Sequence, residues 1–502
     1  MEQLKGFVRR HDVRVIFLVG LFFRLLVYWL IPVDWNSDSY HHWLISYLTL
    51  NIGLARGRVW DLLGCDYYWG IIPHLVQAFL LWVFRTSSIE VIRVFNMLMG
   101  SVNAVLVFKV ASTYYSWENG VLSGISLAVF PIAAIFDSVG MQDTLALSFV
   151  LASLYFMRSR SFWSGVFLGL ACHTRIEFTL VSFLILAGFV LRERLFTDSQ
   201  PYILGWVAAW GLPSLHIYIQ TGNLVYPLYY SLYSVFGGYT SKFAGLPFVN
   251  VFMGWLGSRL YIWTRSFFGA AIIVFGLMGL LLIPFMAYRK WYRYEPQLYL
   301  VSALMVLGPL FLPYFESERV YLLMMIRFLI PVIALGLPVF FHQVSKLYLV
   351  EWIGSKIRFI QVGVVGVLLI GYPLVLPQYM GLQGTVLDEF DIADRVGADY
   401  PGGTIVCDSP SMLYRLVNEW SVKPSSLLSN HYGPQYYGIS DPVAYLEWLK
   451  QEDVQIWMYY GERGDPIWAV LDENYPGVLV NLFGSPREGS YLVDHVFLDS
   501  LL

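Results

Sequence analysis

Long apolar runs dominate this sequence and restrict what it can fold into. A helix of about 20 apolar residues is long enough to cross a bilayer. Eleven candidate runs occur, at residues 15–33, 89–111, 120–136, 143–157, 162–174, 178–191, 201–219, 267–288, 297–314, 327–343 and 358–376. Only 13% of the 502 residues are charged, against about 25% in soluble domains. The chain is therefore predicted to be a multi-pass protein of the plasma membrane, and its net charge of −3 offers no basic face for nucleic acid.

Basic residues predict how the chain is oriented in the membrane. Lysine and arginine concentrate in cytoplasmic loops. Four basic residues precede the first apolar run, and alternate loops hold further clusters: Arg158/Arg160, Arg192/Arg194, Arg289/Lys290/Arg293 and Lys346/Lys356/Arg358. With an odd number of spans, the N-terminus is predicted to be cytoplasmic and the C-terminal segment extracytoplasmic.

A change of composition after the last apolar run predicts a second domain. From residue 387 onward 18 acidic residues face 6 basic ones, a net charge of −12. Gly403–Cys407 is predicted as a strand followed by a helix start, Asp441–Lys450 as an amphipathic helix, and Asp453–Tyr460 and Tyr491–Leu498 as strands. The predicted domains are a transmembrane domain over 1–376 and an extracytoplasmic α/β domain over 377–502.

The predicted fold class is thus an all-α polytopic membrane domain of about 11 transmembrane helices with a small C-terminal extracytoplasmic α/β domain. The external loop 34–88 is expected to carry juxtamembrane helices. One of these is Ile71–Phe84, which at 14 residues is short for a crossing. Arg24 interrupts the first span, and either snorkelling or a structural ion pair accounts for it.

Charged side chains recur in the predicted external loops. Asp38 starts a helical segment after the first span, and Asp143 starts another after the third, so helix capping is the simpler alternative for each. Arg175 and Glu177 lie in a third external segment, and Arg319 and Arg327 in a fourth. Arginine binds phosphate oxygens in a fork, and a carboxylate can accept a proton from a hydroxyl. The pattern favours chemistry on an anionic substrate held in the membrane.

Several short motifs resemble those of the GT-C superfamily of polyprenyl-phosphate-sugar-dependent glycosyltransferases, which includes protein O-mannosyltransferases and aminoarabinose transferases. The matching features are Arg24, Asp38-Ser39-Tyr40, Tyr68-Trp69-Gly70-Ile71-Ile72-Pro73, Arg93, Pro131 with Asp143, Thr174-Arg175, Thr221–Pro227 and Arg327-Phe328-Leu329-Ile330-Pro331. The resemblance extends over residues 15–345.

The resemblance implies an inverting transfer of a sugar from a polyprenyl-phosphate donor to a hydroxyl of a lipid, glycan or protein acceptor. It implies that Asp38 is the catalytic base, that Asp143 is the second acidic residue of the site, and that Arg175 and Arg327 hold the lipid phosphate. This chain has Asp38-Ser39 where family members often carry two adjacent acids.

Further residues on the same face are expected to contact substrate: His41, His42, Tyr68, Trp69, Glu177 and Arg319. An Mg²⁺ or Mn²⁺ ion bound by Asp38 and Asp143, with His41 or His42, is an open alternative to a metal-free site. Two other functions also stay open: a lipid-linked oligosaccharide flippase or other transporter, and a non-catalytic surface protein.

Overall fold

A computed structural model describes residues 2–56, 69–192, 200–229, 250, 253, 326–346, 351–400, 402–407, 409–429, 441–460, 466–485 and 488–501. The spans predicted at 267–288 and 297–314 lie outside these residues, as do Tyr68 and Arg319. The helices within them are α1 (Glu2–Leu30), α2 (Ser37–Leu48), α3 (Ile71–Phe84), α4 (Glu90–Tyr114), α5 (Trp117–Ala128), α6 (Pro131–Asp137), α7 (Asp143–Phe156), α8 (Ser161–Cys172), α9 (Glu177–Arg192), α10 (Gln200–Thr221), α11 (Leu329–Lys346), α12 (Glu351–Ala398), α13 (Pro410–Trp420), α14 (Pro442–Gln451), α15 (Pro466–Asn474) and α16 (His495–Leu501).

Five of the helices described are long and apolar enough to cross a membrane: α4, α10, α11, residues 11–30 of α1 and residues 363–398 of α12. The predicted span 120–136 forms two helices, α5 and α6, which meet at an angle of 59°. Pro131 begins α6, and because proline has no backbone N–H, the hydrogen-bond ladder of α5 cannot continue through it. The predicted fold class is confirmed, whereas the number of eleven spans stays a prediction.

The chain separates into two compact units, and each unit consists of more than one segment of the sequence. The first unit comprises residues 1–32, 68–73 and 93–380, and the second comprises 33–67, 74–92 and 381–502. The domain boundary predicted at residue 376 stays a prediction.

In the first unit, α8 and α10 approach so closely that glycine is required where they meet. A Cβ atom at Gly165 would overlap the backbone of Tyr202 on the facing helix. This contact holds the N-terminal half of α8 against α10. A Cβ atom at Gly169 would lie 2.9 Å from the backbone nitrogen of Trp210, so the half of α8 that leads to Cys172 is equally close to α10.

The second unit contains a five-stranded sheet in the order β2-β1-β3-β5-β4. Its strands are β1 (Thr404–Cys407), β2 (Leu427–Ser429), β3 (Val454–Tyr460), β4 (Leu479–Ser485) and β5 (Glu488–Val493). Strand β1 is parallel to β2 and β3, while β5 is antiparallel to β3 and β4. Val406, Trp457 and Tyr491 are part of the buried core on this sheet.

The strand predicted over Tyr491–Leu498 is wrong in its second half. The strand β5 ends at Val493, and α16 begins at His495. Asp494 explains the change, because its side chain accepts a hydrogen bond from the backbone N–H of Phe497 at 2.9 Å. An aspartate that binds a backbone N–H three residues later caps a helix start.

Candidate functional site

The loop between α6 and α7 presents Asp143 as the first residue of α7. The residue in the cap position is Gln142, whose side chain makes no capping hydrogen bond. The Asp143 carboxylate instead accepts a hydrogen bond through Oδ1 from Nη1 of Arg175 at 2.5 Å. Its other oxygen, Oδ2, is buried and has no hydrogen-bond partner among the residues that the structure describes. The Asp143 carboxylate is therefore bound to Arg175, and Asp143 is not the N-cap residue of α7.

Arg175 lies between two carboxylates in the segment that joins α8 to α9. Its Nε donates to Oε2 of Glu177 at 3.1 Å, and its Nη2 donates to Oε1 of the same carboxylate. Its third contact, through Nη1, is the bond to Asp143. Only 10% of the Arg175 side chain is exposed, so solvent screens these ion pairs weakly. The guanidinium is held in a forked geometry by Glu177 and joins α7 to the start of α9.

Glu177 is ionised in this arrangement. Burial raises the pKa of its carboxyl, but the guanidinium of Arg175 and, more weakly, that of Arg327 outweigh burial and leave the pKa below its usual value. Arg327 is itself buried, in the turn Ile326–Phe328 that precedes α11, with Nη1 at 3.8 Å from Sδ of Met141. We call Asp143, Arg175, Glu177 and Arg327 the charged cluster; its formal charges cancel.

One face of α4 holds the loop that carries Asp143. Arg93 donates through Nε to the Ser138 carbonyl at 2.8 Å, and Asn96 donates to the Val139 and Met141 carbonyls at 2.7 and 2.6 Å. Asn103 donates to the Thr144 carbonyl at 2.9 Å. These side chains were missed as site residues, although polar groups at spacings of three and seven in an apolar helix indicate one shared face.

Behind the same loop, Arg24 forms a buried ion pair with Asp137. Its Nε and Nη2 donate to Oδ2 of Asp137 at 2.9 and 2.6 Å, and its Nη1 donates to the carbonyls of Gly20 and Ala128 at 2.9 and 3.2 Å. Asp137 also accepts a hydrogen bond from the Thr144 hydroxyl at 2.5 Å. The structure thus supports the structural ion pair and not snorkelling.

The segment that carries Arg175 is fixed by His173. Its Nε2 lies 2.8 Å from the Trp210 carbonyl and 3.1 Å from the Ser214 hydroxyl. The His173 carbonyl accepts a hydrogen bond from Ile72 at 3.3 Å, beside Gly70, where a Cβ atom would overlap this carbonyl. Trp69, half-buried, precedes this glycine.

Asp38, His41 and His42 lie in the second unit, on α2. Asn36 is the N-cap of α2, and its side chain accepts a hydrogen bond from the Asp38 N–H at 3.0 Å. Capping by Asp38 is therefore wrong as an explanation of this residue, which is half-buried at the second position of the helix. His41 is buried, and Nδ1 of His42 lies 3.0 Å from Nε2 of His74 on α3.

Packing within the second unit fixes α2. The ring of Tyr40 lies 5.1 Å from that of Tyr414 on α13 and 6.0 Å from that of Phe390 on α12. The Trp43 indole donates to the Ser87 carbonyl at 2.6 Å. Tyr40 and Trp43, which follow Asp38 in the first two turns of α2, are therefore both held by contacts within the second unit.

No group of three or more histidine, cysteine, aspartate or glutamate side chains that could hold a metal ion occurs within the described residues. The predicted metal ligands Asp38 and Asp143 belong to different units. The metal site stays a prediction.

Comparisons with known proteins bear on the fold and on the class of protein. The profile of the family described as dolichyl-phosphate-mannose-protein mannosyltransferase matches residues 69–218, under a third of the chain, and this segment includes Asp143, Arg175 and Glu177. None of the curated proteins searched matches this sequence.

Solved structures resemble the chain over nearly its whole length. ArnT from Cupriavidus metallidurans bound to undecaprenyl phosphate has a TM-score of 0.55 at 12% identity, covering 97% of this chain and 99% of that one. The apo state of ArnT gives a TM-score of 0.52 at 12% identity and covers 99% of both chains. The archaeal oligosaccharyltransferase AglB from Archaeoglobus fulgidus, in complex with an inhibitory peptide and a dolichol-phosphate, gives 0.49 at 12% identity, covering 97% of this chain and 75% of AglB.

The likeness to ArnT shows that this chain is an integral membrane protein with the GT-C fold. The family match over residues 69–218 supports the class predicted from the sequence motifs, a membrane glycosyltransferase of the GT-C type.

Proposed function

We propose that the protein transfers a sugar from a polyprenyl-phosphate-linked donor to an acceptor hydroxyl on the extracytoplasmic face, with inversion at the anomeric carbon. The observation that carries this proposal is the charged cluster, which gathers two arginines and two carboxylates from three separate segments of a GT-C fold. The ArnT structure of the same fold holds undecaprenyl phosphate, which supports a lipid phosphate as the leaving group here.

Departure of a lipid phosphate leaves negative charge on its oxygens, and a fixed cation lowers the energy of that charge in a water-poor site. Arg327 is the residue we assign to this task. It precedes a membrane-spanning helix, and its guanidinium acts on the charge of Glu177. Its planar fork suits two phosphate oxygens, which a lysine ammonium cannot bind in the same way.

The acceptor hydroxyl must lose its proton as it attacks. For this step we propose Asp38, as the sequence motifs imply. It is the second residue of α2, which Asn36 caps. A positioned base of this kind contributes about 10²–10⁴-fold to a rate.

The orientation in the membrane belongs to the same proposal. The basic clusters of alternate loops predict a cytoplasmic N-terminus, and the acidic segment after residue 387 is then expected to be extracytoplasmic. A reporter fused at the C-terminus and active only in the cytoplasm should therefore be silent.

Purified protein incubated with polyprenyl-phosphate monosaccharides and candidate acceptors tests the activity. We expect release of polyprenyl phosphate together with a glycosylated acceptor. Arg327→Lys is expected to raise the KM for the donor, while Arg160→Gln, at an exposed arginine, serves as the matched control. Efficient turnover of a nucleotide sugar without any lipid carrier would contradict the proposal.

A further inference from the structure

Arg175 is bound to two carboxylates within the charged cluster, although the sequence motifs suggest that it holds the donor phosphate together with Arg327. Arg175 donates three hydrogen bonds to carboxylates, two to Glu177 and one to Asp143. An anion that approached this guanidinium would also approach two negative charges already bound to it. The arrangement is unfavourable for a phosphate ligand.

The same bonds fix Asp143. Its Oδ1 is bound by Arg175, its backbone follows a loop held by Asn96, and the carbonyl of the next residue, Thr144, is held by Asn103. The Asp143 carboxylate is therefore restrained at its side chain and at its backbone.

Only Oδ2 of this carboxylate is left without a hydrogen-bond donor within the described part of the chain. Buried polar atoms are nearly always hydrogen-bonded, and an exception in a site indicates a partner that arrives with a ligand. A hydroxyl of the bound substrate can donate to this oxygen.

We propose that Arg175 is a positioning residue: with Glu177 as its anchor, it orients Asp143 so that Oδ2 meets a substrate hydroxyl, and it does not hold the donor phosphate. This inference rests on the proposed function. It assigns the donor phosphate to Arg327, so that phosphate binding by Arg327 and positioning by Arg175 can be measured separately.

Binding of undecaprenyl phosphate, followed by native mass spectrometry or tryptophan fluorescence, separates the two arginines without any turnover. Arg175→Gln should bind this lipid within about twofold of the wild type. Arg327→Gln, the same substitution at the other arginine, should weaken binding at least tenfold. If Arg175→Gln weakens binding as much as Arg327→Gln does, the positioning role is wrong.

Steady-state kinetics provide the second readout. Arg175→Gln and Asp143→Asn should each lower kcat by about 100-fold, the cost of a misplaced group, with the donor KM little changed. The double variant should be no slower than Asp143→Asn alone, since both substitutions remove one interaction. Independent, multiplying losses in the double variant would overturn the inference.

Two further variants keep the test decisive. If Arg175→Gln does not elute as a folded protein, Arg175→Lys replaces it, because lysine keeps the charge but cannot bind both carboxylates at once. Glu177→Gln should also lower kcat, as Arg175→Gln does, and should still bind undecaprenyl phosphate. If the wild-type protein neither binds undecaprenyl phosphate nor releases it, the proposed function itself is refuted. If the wild type does both and Arg175→Gln loses binding, only the positioning role is refuted.

Discussion

The buried pair of Arg24 and Asp137 offers the sharpest test of the structural reasoning. Asp137→Asn keeps the size of the side chain and removes the charge that balances Arg24, of which none is exposed. Two charge-assisted hydrogen bonds end on Oδ2 of Asp137, at 2.6 and 2.9 Å, and each is of the class that contributes about 1.5–3 kcal/mol. Breaking a buried pair from one side costs about 3–5 kcal/mol in known cases. We expect a loss of about 3 kcal/mol in the free energy of unfolding, since asparagine keeps one acceptor oxygen.

The apolar double variant Arg24→Met/Asp137→Leu separates the charge effect from simple disruption. It removes both charges, so the desolvated cation disappears, and replacement of a buried pair by apolar groups is often near neutral. Here the Ala128 carbonyl and the Thr144 hydroxyl also lose their partner, and each unsatisfied group costs about 1–3 kcal/mol. We therefore expect the free energy of unfolding of the double variant to be close to that of Asp137→Asn. It should be clearly higher than that of the single variant Asp137→Leu, in which Arg24 keeps its charge and loses its partner.

Denaturant titration of the protein in mixed micelles, followed through its 18 tryptophans, measures these differences. Arg160→Gln, at an exposed arginine, is the control and should change the free energy of unfolding by less than about 0.5 kcal/mol. A loss under about 1 kcal/mol for both Asp137→Asn and Asp137→Leu would refute the view that this pair is a structural requirement of the fold.

Two further outcomes follow from single positions. Asp38→Asn should fold normally, since Asn36 provides the cap, and its turnover should fall by about 10²–10⁴-fold. The control Asp34→Asn should lose less turnover. If Asp38→Asn keeps more than a tenth of the wild-type turnover, Asp38 is not the base. Gly70→Ala should lower kcat by about tenfold or more, because its Cβ would displace the His173 carbonyl and with it Arg175, whereas Gly336→Ala, with open space around it, should stay near wild type.

The local chemistry of single residues predicted much of the fold. The strand β1 and the start of α13 at Pro410 lie where the run Gly403–Cys407 and the proline placed them. The segment Ile71–Phe84 forms α3 with those same bounds. These elements are set by apolar patterns and by residues that begin or end helices, which are visible in a single sequence.

The sequence predicts which charged residues belong to the site but not which of them form ion pairs with each other. Asp143, Arg175 and Glu177 follow from the expectation that acidic and basic residues of the external loops share one face, and the structure brings these three into contact. Which carboxylate binds which arginine depends on how α7, α8 and α9 pack, and no spacing in the sequence encodes that. Arg24 shows the same limit, because its partner Asp137 is 113 residues away.

The polar face of α4 explains why a membrane-spanning helix should contain an arginine and two asparagines. The carbonyls of Ser138, Val139 and Met141 lie in the loop between α6 and α7, and leaving them unsatisfied would be costly. Arg93 and Asn96 donate to three of these carbonyls, and Asn103 to that of Thr144. Each hydrogen bond that satisfies the loop also restricts where Asp143 can lie. The α4 side chains that bind these loop carbonyls therefore also hold Asp143 in place. Substitutions on this face of α4 should alter the geometry of the charged cluster, although they change none of its residues.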